Sequence, residues 1–258
     1  MVKKQDTIYA APLEQMVDFS FDERVVDVFP DMIQRSVPGY ATLISNIGIL
    51  AAKYALDNSR CYDLGCSLGA VTLSIRQRLK KQNCQIIAVD NSPAMIEKAQ
   101  HILLADKASD IEVQLVCEDI ADTVIENASV VVMNFTLQFI PLAHRQALIN
   151  QIYNGLKPGG ILILSEKLAF PDDSINQFHI DVHHDFKRAN GYSDMEISQK
   201  RTALENVLIP ESLEQHQQRL RAAGFGFTVK WYQCFNYVSM VAIKCISKVY
   251  INILSLLG

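Results

Sequence analysis

The stretch CYDLGCSLGA, residues 61–70, holds the side chains best placed by type and spacing to do chemistry. Gly65-Cys66-Ser67-Leu68-Gly69 fits the G-x-S-x-G elbow, in which a serine on a sharp strand-to-helix turn attacks an acyl carbon. Such a serine needs a histidine, and the chain offers His101, His144, His179, His183, His184 and His216. The same residues fit a glycine-rich turn after a first strand, where a nucleotide-like ligand is seated. The ends of the apolar runs favour this second reading. Asp63 closes the first run, Asp90-Asn91 the second, Glu118-Asp119-Ile120 the third and Asn134-Phe135 the fourth. Any one of these also serves as a helix cap or a solvated loop residue. Together they line one edge. Asp90 stands about 20 residues past Gly69, the spacing at which an acid reaches ribose hydroxyls. An elbow accounts for neither Asp90 nor Asp119. A dinucleotide fingerprint is missing, because Cys66, Ser67 and Leu68 separate the two glycines. A carboxylate at Asp63 would also repel a pyrophosphate. The loop suits an adenosine carrying an amino acid with an ammonium group. Asp90 would then accept from both ribose hydroxyls, and Asp119 with Ile120 would read the adenine edge and cover its face.

Something must bring those residues to one edge, and the pattern of elements does so. Residues 61–64, 85–89, 113–117, 128–135 and 161–166 are apolar, strand-like runs. Between them, residues 70–80 have helical spacing, Ser92 caps a helix with Pro93 in its first turn, and a further helix covers roughly 141–156. Lys157-Pro158-Gly159-Gly160 stops that helix and turns the chain. The β-α-β rhythm predicts a parallel sheet with helices on both faces and ligands at the carboxyl ends of its strands. Residues 172–209 break the rhythm and predict a helical lid or oligomer arm. Ser212 and Gln215 form a capping box for a helix reaching about Ala223. FTVKWYQCF and YVSMVAIK follow as an antiparallel hairpin at the sheet edge. One α/β domain over 1–258 is expected, with a helical cap over about 1–56 and a tail, 245–258, whose role the residues do not assign.

Composition narrows the partners. The chain has 258 residues, 49% of them hydrophobic and 20% charged, enough for a sizeable core. A net charge of -4 argues against a broad phosphate-binding surface, so no direct nucleic-acid contact is expected. Six cysteines without a C-x-x-C pattern predict buried, reduced thiols and no metal site. No apolar segment follows the first lysines, and the uncharged run from Val249 to Gly258 is short of the roughly 20 residues a bilayer span requires. A cytoplasmic protein with no membrane contact is expected.

DLGCSLG, IAVDNSPAMIEKA, CEDI and the Pro-Gly-Gly turn resemble class I S-adenosylmethionine-dependent methyltransferases. More narrowly, FDERVVDVFPDMIQRSVPGY (21–40), NFTLQF (134–139) and HHDFKRANGYSDMEISQKRTALENV (183–207) resemble the carboxy-S-adenosyl-L-methionine synthase family. The resemblance implies a Rossmann-like fold with a mostly parallel seven-stranded sheet. It implies a transferase that takes S-adenosylmethionine and prephenate and releases carboxy-S-adenosyl-L-methionine and phenylpyruvate. The product would serve wobble-uridine modification in tRNA, passing to a tRNA carboxymethyltransferase, and the enzyme would be a homodimer. It places the partner of the new carboxylate on Arg201, in ISQKR, and the rest of the ligand shell on Tyr40, Gly65, Cys66, Ser67, Asp90, Asn91, Asp119, Ile120 and Asn134. His183, His184, Lys187 and Arg188 cluster in the presumed lid and are candidates for the prephenate carboxylates, against a solvated face or a dimer contact. Two alternatives stay open: a plain methyltransferase with the same cofactor shell, and a non-catalytic protein that keeps the pocket as a scaffold.

Overall fold

The structure is a computed structural model and describes residues 4–13 and 17–245. The tail beyond Cys245 therefore lies outside the described residues. In chain order the elements are α1 (Glu23–Ser36), α2 (Tyr40–Tyr54), β1 (Arg60–Leu64), α3 (Ala70–Arg76), β2 (Gln85–Asp90), α4 (Pro93–Ala105), β3 (Val113–Cys117), β4 (Ala128–Asn134), α5 (Leu142–Gly155), β5 (Leu156–Lys167), α6 (Asp173–Ala189), α7 (Asp194–Leu204), α8 (Leu213–Ala223), β6 (Phe227–Cys234) and β7 (Tyr237–Ile243). A short 3-10 turn, Leu137–Phe139, follows β4.

The strands form a 7-stranded sheet in the order β3-β2-β1-β4-β5-β7-β6. β1 to β5 run parallel, and β7 lies antiparallel between β5 and β6. Alternate residues of each central strand serve two cores. Tyr62, Leu64, Val131, Met133, Leu162 and Leu164 face α5 and α8. Cys61, Val130, Val132, Ile161 and Ile163 face α2 and α3. Burial on both faces is why these strands are apolar without interruption. A third cluster packs α1 (Val25, Val26, Val28, Met32) with Phe19 over Leu68 and Met95, so the N-terminal segment roofs the loop after β1 and the start of α4.

The hairpin, the Ser92 cap on α4 and the Ser212–Gln215 capping box on α8 are present as predicted. Three expectations are corrected. The Pro-Gly-Gly segment does not precede a strand but bulges from one. Leu156 pairs with Ala128 and Ile161 with Val130, and the excursion between them is held by Gly159 N–H to the Lys244 carbonyl at 2.7 Å. The helix expected over 70–80 stops at Arg76, where the chain tightens into a turn. The thiols are not uniformly buried: Cys61, Cys66 and Cys84 are, but β3 is an edge strand and leaves Cys117 exposed.

The arm is two helices packed on the N-terminal cap. Arg35 Nε donates to the Asn190 carbonyl at 2.7 Å, Lys200 Nζ to Ser36 Oγ at 3.3 Å, and Tyr192 OH to Asp6 Oδ2 at 2.5 Å. Gln199 Oε1 accepts from Leu13 N–H at 2.8 Å, and the Ala203 carbonyl accepts from Phe19 N–H at 2.9 Å.

Candidate active site

β1 lies between β2 and β4, so the chain leaves the sheet centre in both directions and opens a crevice at the carboxyl ends of these strands. Asp63, near the end of β1, is buried. Its Oδ2 accepts from Thr72 N–H at 3.0 Å and Thr72 Oγ1 at 2.6 Å, which pins the first turns of α3 to the strand. Burial pushes this carboxyl up to about 6 despite those bonds, and the nearby charge of Asp90 adds to the rise. The intervening loop takes left-handed backbone at Gly65 (φ 80), Ser67 (φ 48) and Gly69 (φ 79). A Cβ at Gly65 would run into the Thr136 side chain, whose hydroxyl donates to the Leu64 carbonyl at 2.9 Å. Glycine is thus needed there for backbone sign and for packing under the β4 loop.

Asp90, the last residue of β2, braces the same loop. Its Oδ2 accepts Ser67 N–H at 2.9 Å and its Oδ1 accepts Ser92 N–H at 3.0 Å. Each oxygen keeps a lone pair for a further donor, which suits a ribose diol. Burial pushes this carboxyl up as well. Asn91 is exposed beside it. Beyond β3, exposed Asp119 turns its Oδ1 to Ala121 N–H at 2.9 Å, while Ile120 is buried in the core beneath. Cys66 is buried. Asn134 closes β4, and its Oδ1 is buried with no hydrogen-bond partner among the described residues. An acceptor in that condition calls for a donor from outside the chain. Tyr40 opens α2, and burial, then the charge of Asp63, pushes its phenol up. An adenosine with an amino-acid tail fits this set: paired acceptors at Asp90, an apolar floor at Ile120 and an unfilled acceptor at Asn134.

Arg201 sits in the last turn of α7, exposed, with no ion pair among the described residues. Its charge reaches Lys167 at the end of β5 and Lys187 and His184 on α6, depressing all three after burial has done so first. Arg188 reaches this group only at His184, since Asp185 (2.6 Å) and Asp194 (2.7 Å) hold its exposed guanidinium. His183 is buried with Nε2 2.8 Å from the Ser36 carbonyl and 3.1 Å from Tyr237 OH. Burial lowers it to about 2, so it stays neutral. Lys167 was not foreseen. Its signal was a lysine directly after the apolar run ILILSE, the same strand-end position that marked Asp63 and Asp90. Among the described residues no histidine hydrogen-bonds Ser67, whose backbone N–H is held by Asp90. Nor do the described residues hold a group of His, Cys, Asp and Glu able to bind a metal, or a helix long and apolar enough to cross a membrane.

Residues 62–160 match the methyltransferase domain family. A putative S-adenosyl-L-methionine-dependent methyltransferase from Methanococcus maripaludis superposes with a TM-score of 0.59 at 20% identity, covering 91% of this chain and 99% of that one. Magnesium protoporphyrin IX methyltransferase from Synechocystis PCC 6803 superposes with a TM-score of 0.58 at 16% identity, covering 83% and 87%. Sheet order, crevice and these likenesses define a class I methyltransferase fold. The carboxy-S-adenosyl-L-methionine synthase of Citrifermentans bemidjiense is 66% identical over 244 residues, 95% of this chain and 100% of that protein. That of Vibrio cholerae is 58% identical over 240 residues, 93% and 97%. The chain belongs to the carboxy-S-adenosyl-L-methionine synthase family.

Proposed function

We propose that this chain joins S-adenosylmethionine and prephenate to give carboxy-S-adenosyl-L-methionine, phenylpyruvate and water. Prephenate loses carbon dioxide and its ring hydroxyl as the ring becomes aromatic. The departing hydroxide takes one proton from the sulfonium methyl and becomes water. The carbanion left beside the positive sulfur forms its new bond to the carbon dioxide. Positioning and exclusion of water carry this chemistry, because no side chain has to supply the base.

The observation that carries the reading is Arg201. An ordinary methyltransferase holds a neutral methyl group and gives a guanidinium nothing to bind. A carboxylated methyl gives it a planar anion for two parallel hydrogen bonds. Arg201 is exposed in the last turn of α7, near enough for its charge to be felt by Lys167 at the carboxyl end of β5, and no carboxylate of the chain engages it among the described residues. We further propose that the enzyme acts as a homodimer and hands its product to a tRNA carboxymethyltransferase for wobble-uridine modification. On this reading it makes no tRNA contact of its own and works in the cytoplasm.

Mass spectrometry of the small molecule released on denaturing the purified protein tests the reading. A species heavier than S-adenosylmethionine by one carbon dioxide, regenerated only when prephenate is added, is expected. S-adenosylmethionine or its demethylated product alone, unchanged by prephenate, would overturn it.

A further inference from the structure

Lys167 and Lys187 are unusual among the lysines of this chain. Lys187 is buried and Lys167 is half-buried at the end of β5. Neither ammonium has a carboxylate within ion-pair distance among the described residues. Buried lysines are otherwise paired, because an ammonium taken out of water without a counter-charge is costly. Lys200, the neighbouring buried lysine, follows that rule with Asp6 at 3.6 Å.

Two side-chain contacts, a strand register and a helix turn lead from the end of β4 to the two lysines. Phe135 follows Asn134, and its ring meets the Tyr237 ring edge-on at 5.5 Å. Tyr237 is the register partner of Lys167 across β5 and β7. Tyr237 OH lies 3.1 Å from His183 Nε2, and Lys187 is one helical turn beyond His183 on the same buried face of α6. His183 is committed to the Ser36 carbonyl and acts as a neutral spacer in this wall. Arg201 lies near enough for its charge to be felt by both lysines.

We infer that Lys167 and Lys187 form a second anion pocket beside Arg201, which holds the α-keto-acid carboxylate of the carbon dioxide donor, the one retained in phenylpyruvate. The inference rests on the synthase reading. The donor has a second carboxylate, but that one must leave as neutral carbon dioxide. Fixing it with ammonium groups would stabilise the ground state against the step. The retained carboxylate keeps its charge throughout, so binding it orients the donor without opposing the reaction. The state of the lysines agrees. Burial, then the other cations nearby, lowers Lys167 to about 8 and Lys187 to about 7, and a carboxylate between them would favour the charged form of both.

Lys167→Met and Lys187→Met, made singly in the full chain, test the pocket, with Lys187→Arg as the charge-keeping variant. Three quantities are read: the KM for prephenate, the inhibition constant of phenylpyruvate, and the affinity for S-adenosylmethionine by calorimetry. Each Met variant is expected to weaken prephenate and phenylpyruvate together by about tenfold or more, the scale of a lost charge-assisted bond. S-adenosylmethionine affinity should be unchanged, and Lys187→Arg should recover most of the loss. Prephenate and phenylpyruvate constants within about twofold of wild type would overturn the inference. So would a parallel loss of S-adenosylmethionine affinity in both variants, which would mark a structural role. A prephenate effect without a phenylpyruvate effect would also overturn it, by moving the lysines to the leaving carboxylate. If Lys187→Met does not fold, Lys167→Met at its half-exposed strand end decides. Failure of the synthase reading is separate, because it appears as no carboxylated product from the wild-type enzyme.

Discussion

The guanidinium of Arg201 and the hydroxyl of Ser67 assign chemistry to this site in opposite ways. If Arg201 binds the new carboxylate as proposed, Arg201→Ala removes that partner and leaves the Asp90 end of the site intact. Affinity for carboxy-S-adenosyl-L-methionine should fall by about 2 kcal/mol, roughly thirtyfold, while affinity for S-adenosylmethionine changes little; paired calorimetric titrations read both. Equal losses for the two ligands would remove Arg201 from the carboxylate. Ser67 presents its backbone N–H to Asp90, and an alanine keeps that bond. Ser67→Ala should therefore retain turnover within a few-fold, whereas a nucleophile would lose it by several orders of magnitude. At this scale the sequence spoke through strand ends. Asp63, Asp90, Asp119 and Asn134 were legible because each follows an apolar run. What Asp63 does was not: it ties α3 to β1 through Thr72. The reason for Gly65 was hidden too, since the side chain that excludes a Cβ is Thr136, far along the chain on the β4 loop.

Among the elements, β5 and its neighbours set the shape of the crevice rim. Glu166 sits fully buried on the β5 face opposite Lys167. It accepts Leu137 N–H at 3.0 Å and so fixes the short turn after Asn134. Burial pushes its carboxyl up to about 8 from an ordinary 4.5, with Arg145 pulling the other way and the charge of Glu211 adding to the rise. Its folded value lies above its unfolded one. The stability it contributes is thus fully present below the unfolded value and is lost as pH rises through the folded one. Glu166→Gln keeps the shape without the titration. Denaturant unfolding of the two proteins between about pH 5 and 8 should show wild type losing stability relative to the variant as pH rises, by a few kcal/mol in all. Parallel stabilities across that range would contradict the assignment. Local signals made many elements legible: Ser92 ahead of Pro93, and Ser212 with Gln215, act within one turn of chain. The bulge at Pro158 to Gly160 was misread because its partner is Lys244, and that pairing has no trace in the local pattern. The arm was legible as helical, but its inward face was not, since His183 finds its partners at Ser36 and Tyr237, far away along the chain.

For the molecule as a whole, the doubly wound sheet delivers the candidate ligand residues from four strand ends, and the cap, packed with the arm, roofs the loop after β1. Asp6, Tyr192, Lys200, Ser36 and Arg35 join the two segments. That packing fixes α6 and α7, which carry Lys187 and Arg201, against the N-terminal cap. The alternation of strands and helices made that fold legible, while the change of chemistry rests on side chains meeting across long sequence separations. The central claim is that the sulfonium methyl is carboxylated rather than transferred. Its most direct test supplies the enzyme with S-adenosylmethionine deuterated throughout its methyl group and prephenate labelled with carbon-13 in the carboxylate that leaves. The account predicts a product that carries the carbon-13 label and has lost one methyl deuterium. A demethylated product, with the intact deuterated methyl on an acceptor and no carbon-13 on sulfur-bound carbon, would contradict it.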